Sequence, residues 1–267
     1  MTSLRTSNMN SMRSIARGFS LVELMVALAA GLIVSSAVVA FLMSSFKSNS
    51  DYVVSTRLTQ ELRNTLDLVT RDLRRAGYDE TSVANMGTGR ISLFSHMKLC
   101  DTAGTCITTT TRPTAAEPCV IYGYDRVNGT AGTVDVSNGE VRGLRRKQVT
   151  NINGVSVGVI EYAVSTNAIE PACDGAGPVY TTFPTVCNAA TAWCPLTDAT
   201  KLDITSFTLT DNGAVAGGVL LRDLTVVLQG RPAGTTEYTR GVQSSVRIRS
   251  DCYATALTDC VLTPTNH

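Results

Sequence analysis

The chain has 267 residues, long enough for one good-sized core, and its charge is nearly balanced, with Lys+Arg 23 against Asp+Glu 22. That balance argues against nucleic acid as a partner, since such binders carry a basic excess. Gly 21 and an aromatic content of only 6% suit a turn-rich β domain.

Residues 1–18 are polar and basic, with Arg5, Arg13 and Arg17 and no acid. From Leu24 to Phe46 no side chain is charged. As a helix that run is about 35 Å long, enough to cross a bilayer. The arginines precede it, so the positive-inside rule puts residues 1–18 in the cytoplasm and the rest outside. No small-residue cleavage site follows the run at its outer end, and it flows into more helix, so the span is expected to be retained. Glu23 stands at its edge. A carboxylate there is costly unless paired or protonated, which makes it a functional candidate; the plainer reading is an interfacial acid that reaches water.

Val54, Leu58, Leu62, Leu66, Val69, Leu73 and Ala76 recur at steps of three and four, the stripe of an amphipathic helix. Gly77 is placed to end it. No proline interrupts residues 19–77, so one helix is expected from about Ser20 to Ala76.

Beyond residue 80 the helical period stops. The stretch 79–118 reads as loop with one short element. Asn138-Gly139 separates Thr133–Ser137 from Glu140–Thr150 as a hairpin, and Asn153-Gly154 leads on to a strand over Val155–Ser165. After a loop over 166–200, Leu202–Thr210 alternates, Asp211-Asn212-Gly213 turns, and Val219–Gln229 and Thr239–Arg249 follow as strands. The head is thus expected to be antiparallel β, about six strands, with the helix on one face.

All the cysteines lie beyond residue 99: Cys100, Cys106, Cys119, Cys173, Cys187, Cys194, Cys252 and Cys260. An even number in an exported segment reads as a disulfide framework, and the spacings lack the short knuckles of zinc sites. Eight cysteines allow about 105 connectivities. Short loops favour Cys252–Cys260 first and Cys100–Cys106 next, because local closure costs little entropy.

No catalytic or metal constellation emerges, and no cofactor is expected. Gly154-Val155-Ser156-Val157-Gly158 matches a nucleophile pattern, but the following residues continue as strand where an elbow needs a helix. The histidines are His96 and His267, a poor basis for a triad. Asn128-Gly129-Thr130 reads as a turn before a glycosylation site. Arg142, Arg145, Arg146 and Lys147 read as a solvated strand edge that discourages strand pairing, with DNA or an anionic surface as the sharper alternative.

The string Arg17-Gly18-Phe19-Ser20-Leu21-Val22-Glu23-Leu24-Met25-Val26 resembles the class III signal of type IV pilins and pseudopilins. The resemblance implies that a prepilin peptidase cuts after Gly18, that Phe19 becomes an N-methylated first residue, and that Glu23 serves assembly. Many major pilins carry a proline midway along the apolar helix; this chain has none, so no kink is implied. Leu58–Arg63, Asp72–Tyr78 and the late strand Arg240–Arg249 resemble minor pilins of the PilW kind and, more distantly, the J-type pseudopilin of type II secretion.

The resemblance implies an α+β pilin-like fold, a long N-terminal helix, transmembrane then amphipathic, packed on an antiparallel β head. Its parts would be a leader peptide (1–18), a transmembrane and assembly helix (19–46), an amphipathic helix (47–77) and a periplasmic head with disulfides (78–267). The function it implies is assembly without chemistry. The protein would wait in the inner membrane as a single-pass protein among its lipids. It would then join a cell-surface pilus that it helps to start or cap. Implied partners are other minor pilins, the major pilin, the prepilin peptidase, the assembly platform and a tip adhesin. The rival readings are the secretion pseudopilin, a tip module binding a surface or DNA through Arg145 and Arg146, and a signal-anchored periplasmic enzyme.

Overall fold

The computed structural model describes residues 18, 20–81, 97–100, 114–116, 119–126, 131–166, 169–212, 214–216, 219–248 and 252–253. The chain divides into two compact units, residues 1–52 and 53–267. One helix, α1, runs over Leu21–Leu73. It is unbroken because no proline interrupts it and its small polar residues are satisfied locally; the Ser36 hydroxyl donates to the Ile33 carbonyl at 2.8 Å.

In the first unit the helix side chains from Leu21 to Ser50 are all exposed. In the second unit α1 buries a stripe made of Leu58, Leu62, Thr65, Leu66, Val69, Thr70 and Leu73. The expected stripe began a turn earlier, but Val54 is 37% exposed, so burial starts at Leu58. Thr70 can join the stripe because its hydroxyl donates to the Leu66 carbonyl at 2.8 Å and is not left orphaned. The helix stops in a turn at Gly77, which takes φ +76° and donates its amide to the Gly123 carbonyl at 2.7 Å.

Among the described residues every strand pair of the head is antiparallel. A five-stranded sheet has the order β1 (Met97–Cys100), β3 (Cys119–Gly123), β4 (Val141–Thr150), β5 (Ser156–Val164) and β6 (Trp193–Pro195). A four-stranded sheet has the order β11 (Arg240–Arg247), β10 (Asp223–Pro232), β7 (Leu202–Asp211) and β2 (Thr114–Ala116). A small third sheet joins β12 (Cys252–Tyr253), β9 (Val219–Leu221) and β8 (Ala214–Ala216). The helix stripe shares one core with Val120, Tyr122, Leu144 and Ile160 of the first sheet and with Ile204, Phe207, Leu209, Val226 and Leu228 of the second. Where β5 meets β7, the Gly158 amide donates to Asp203 Oδ1 at 2.8 Å. A Cβ at Gly158 would lie 2.0 Å from the Ile204 carbonyl oxygen, so only glycine permits this approach.

Several expectations need correction. Thr133–Ser137 is not a strand. The Asp135 carboxylate accepts from the Ser137 amide at 2.8 Å and starts a 3-10 turn over Val136–Asn138, closed by Gly139 at φ +73°. The true partner of β4 on that side is β3, whose Cys119–Tyr122 run is buried without alternation and so carries no period-two signal. The stretch 79–118 holds β1 and β2, the loop 166–200 holds β6, and Val219–Gln229 is two strands broken at Arg222. The described residues form twelve strands where about six were expected.

Candidate functional site

Gly18 is exposed, and a Cβ there would meet nothing within 4 Å. Phe19 lies outside the described residues. The Ser20 carbonyl accepts from the Leu24 amide at 3.1 Å, so the helix is hydrogen-bonded from its first turn. Glu23 sits in that first turn, fully on the surface, where the helix's free N–H groups favour a negative charge. Around and beyond it Leu21, Leu24, Met25, Leu28, Leu32 and Phe41 are each more than half exposed. The helix is long and apolar enough to cross a membrane. A charged acid at the head of an uncovered apolar cylinder can form an ion pair with a cation supplied from outside the helix, and the cylinder can pack on lipid or on another such helix.

The head has a different chemistry. The basic patch is not a solvated edge. β4 is an interior strand paired with β3 and β5, and Arg145 and Arg146 are 1% and 6% exposed. Arg145 pairs with Glu161, its register partner on β5, with Nε at 2.7 Å and Nη2 at 2.6 Å from Oε2. Arg145 Nη1 donates to the Cys173 and Gly175 carbonyls, both at 2.7 Å. The guanidinium lies 4.0 Å over the Trp193 ring. Tyr180 donates to the other Glu161 oxygen at 3.0 Å. Burial, then that carboxylate, pushes the Tyr180 phenol far up. Arg146 Nε donates to the Ile204 carbonyl at 2.6 Å. These arginines are spent on holding sheets and loop together, so the DNA- or surface-binding reading loses the surface it needed.

A second polar link ties α1 to the first sheet. The Tyr122 hydroxyl donates to Asp72, Arg142 lies 3.8 Å from the same carboxylate, and Arg142 stacks 5.0 Å over Tyr124. Burial, then Asp72, holds the Tyr122 phenol well above its ordinary value. The sequence offered no signal for this, because Asp72 sits in a helix turn dense with ordinary surface charge.

Two disulfides lie wholly among the described residues, Cys119–Cys173 and Cys187–Cys194. Cys100 is also disulfide-bonded. Cys106 and Cys260 lie outside the described residues, so the pairs Cys100–Cys106 and Cys252–Cys260 do too. His96, His267 and Asn128 are likewise outside. Ser156 opens β5 and the strand continues, so the nucleophile-like pattern forms no elbow. Among the described residues no group of three or more His, Cys, Asp or Glu is placed to hold a metal.

An exposed apolar helix with an acid in its first turn, followed by a helix-backed antiparallel head, defines a type IV pilin-like protein. The comparisons agree: residues 13–39 match the prokaryotic N-terminal methylation motif. Residues 51–248 match prepilin peptidase-dependent protein B, and the chain belongs to that family. No curated protein and no solved structure matches the chain. The families it matches are structural and not enzymes.

Proposed function

We propose that the chain is a minor type IV pilin, PilW-like, cut after Gly18, N-methylated at Phe19, and assembled through Glu23 with other pilins to initiate or cap the pilus. The carrying observation is that the methylation motif falls on a helix whose apolar side chains are exposed, with an acid in its first turn. In a filament of staggered parallel helices the free amine of one subunit's first residue supplies the cation that Glu23 of its neighbour needs. Before assembly the same helix sits in the inner membrane with the head in the periplasm. The disulfides support that placement, since they persist in oxidising compartments. Other minor pilins, the major pilin, the assembly platform and a tip adhesin are the partners this reading requires.

Mass spectrometry of the N-terminus, on protein from its host, tests it. The expected species begins at methylated Phe19. An intact Met1 start in assembled material would overturn the proposal.

A further inference from the structure

We propose that the Cys187–Cys194 disulfide is a thiol-exchange site, a covalent clasp that a dithiol from solvent opens in the folded head, freeing residues 181–187 while Cys119–Cys173 stays closed. The proposal stands on the head alone and does not rest on the assembly reading.

The two bridges differ in access. Cys119 is 0% exposed and Cys173 5%, and both belong to an apolar cluster with Trp193. Cys187 is exposed on the loop, and Cys194 is half-buried on β6, an edge strand of its sheet. A thiolate must reach a sulfur to exchange with it, and exposed bridges are the labile ones. No charged residue lies between Gly175 and Thr197, so the loop's own side chains present no carboxylate to repel the incoming thiolate.

The exposed bridge also holds a segment that little else holds. Among the described residues no backbone–backbone hydrogen bond involves positions 181–187. Phe183 and Val186 in that run are 78% and 67% exposed. Upstream the run hangs on Tyr180, whose hydroxyl donates to the buried Glu161. Downstream it hangs on Cys187 and on the Asn188 amide, which donates to the Trp193 carbonyl at 2.8 Å. The closed turn includes Ala192 at φ +60°, a left-handed conformation that strains a residue with a Cβ, so the turn relaxes once the bridge opens. β6 has other supports: Trp193 and Cys194 pair with Ala163 and Tyr162, and Trp193 Nε1 donates to the Ala172 carbonyl at 2.9 Å.

In the exchange a thiolate of the dithiol attacks the exposed Cys187 sulfur. A new S–S bond forms there as the bond to Cys194 breaks, and Cys194 leaves as a thiolate that takes up the proton the attacking thiol gave up. The second thiolate of the dithiol then attacks its partner sulfur in the mixed disulfide, and Cys187 leaves and takes up the second proton. The bridge gains two electrons; the dithiol loses two and becomes a disulfide. A monothiol is the poorer reductant, because Cys194 stays a separation of 7 residues away and expels it.

The test treats the full chain, purified in detergent under native conditions, with reduced dithiothreitol. Iodoacetamide stops the reaction at intervals, and peptide masses report each cysteine. Cys187 and Cys194 should be alkylated about a hundredfold faster than Cys119 and Cys173, since the buried pair must wait for the head to open. Thermolysin should then cut beside Phe183 or Val186 at least about tenfold faster than in the oxidised chain. The paired Cys187→Ser and Cys194→Ser variant should be cut at that same raised rate. The Trp193 emission maximum should stay in place, which shows an intact head. Reduction of both bridges at one rate, no reduction of Cys187–Cys194, unchanged cleavage, or an emission maximum shifted to that of the unfolded chain would each overturn the proposal.

Discussion

Glu161→Ala is the perturbation with the clearest arithmetic in the head. Glu161 is 0% exposed and Arg145 1%, so the variant strands a guanidinium in the interior. Removing one member of a buried pair costs about 3–5 kcal/mol. The lower end applies here, because Arg145 keeps the Cys173 and Gly175 carbonyls and the Trp193 face. The Tyr180 hydroxyl, which loses its acceptor, adds about 1 kcal/mol or more. With a urea m-value of about 1–3 kcal/mol/M, the midpoint should fall by more than 1 M. The chain has one tryptophan, Trp193, and it stacks on Arg145, so its fluorescence reports unfolding from the site itself. Arg145→Met with Glu161→Leu should recover part of the loss, since apolar replacements remove the stranded charge. A midpoint within about 0.3 M of wild type for Glu161→Ala, or a double variant worse than the single, would refute the buried pair as the loop's anchor.

Glu23→Ala should leave cleavage and head stability unchanged but cut the protein in sheared filaments, relative to membranes, by at least about tenfold; equal incorporation would make Glu23 an interfacial acid only. The two bridges should differ in worth. Separations of 54 and 7 residues give roughly 4 kcal/mol for Cys119–Cys173 and roughly 2 for Cys187–Cys194 on the chain-entropy account, read from urea midpoints of the paired Cys→Ser variants. Thiol labelling of unfolded, non-reduced protein should leave these four cysteines unlabelled. Tyr122 and Tyr180 set an alkaline limit. Their folded pKa values are raised by burial first, so the folded head holds both protons after the unfolded chain has released them. Stability is therefore complete below about pH 10 and falls as pH rises beyond it. Tyr122→Phe should show a shallower fall above that pH; an unchanged slope would count against the Tyr122–Asp72 link.

Elements written in local chemistry were legible without coordinates. The apolar run, the acid at its edge and the step-of-four stripe specify a helix that is first uncovered and then one-sided, because helix formation and amphipathicity depend on neighbours within a turn or two. Asn153-Gly154 specified its turn for the same reason, with Gly154 at φ +74°. Long-range pairing was not legible. β3 hides its period because both faces are buried. Arg145 looks like a solvated charge until Glu161, Cys173 and Trp193 are brought around it from distant parts of the chain. The links of Cys119 to Cys173 and of Asp72 to Tyr122 likewise join residues that share no sequence signal. Which charges are surface and which are interior depends on who the neighbours are in space, and only the tertiary structure supplies them.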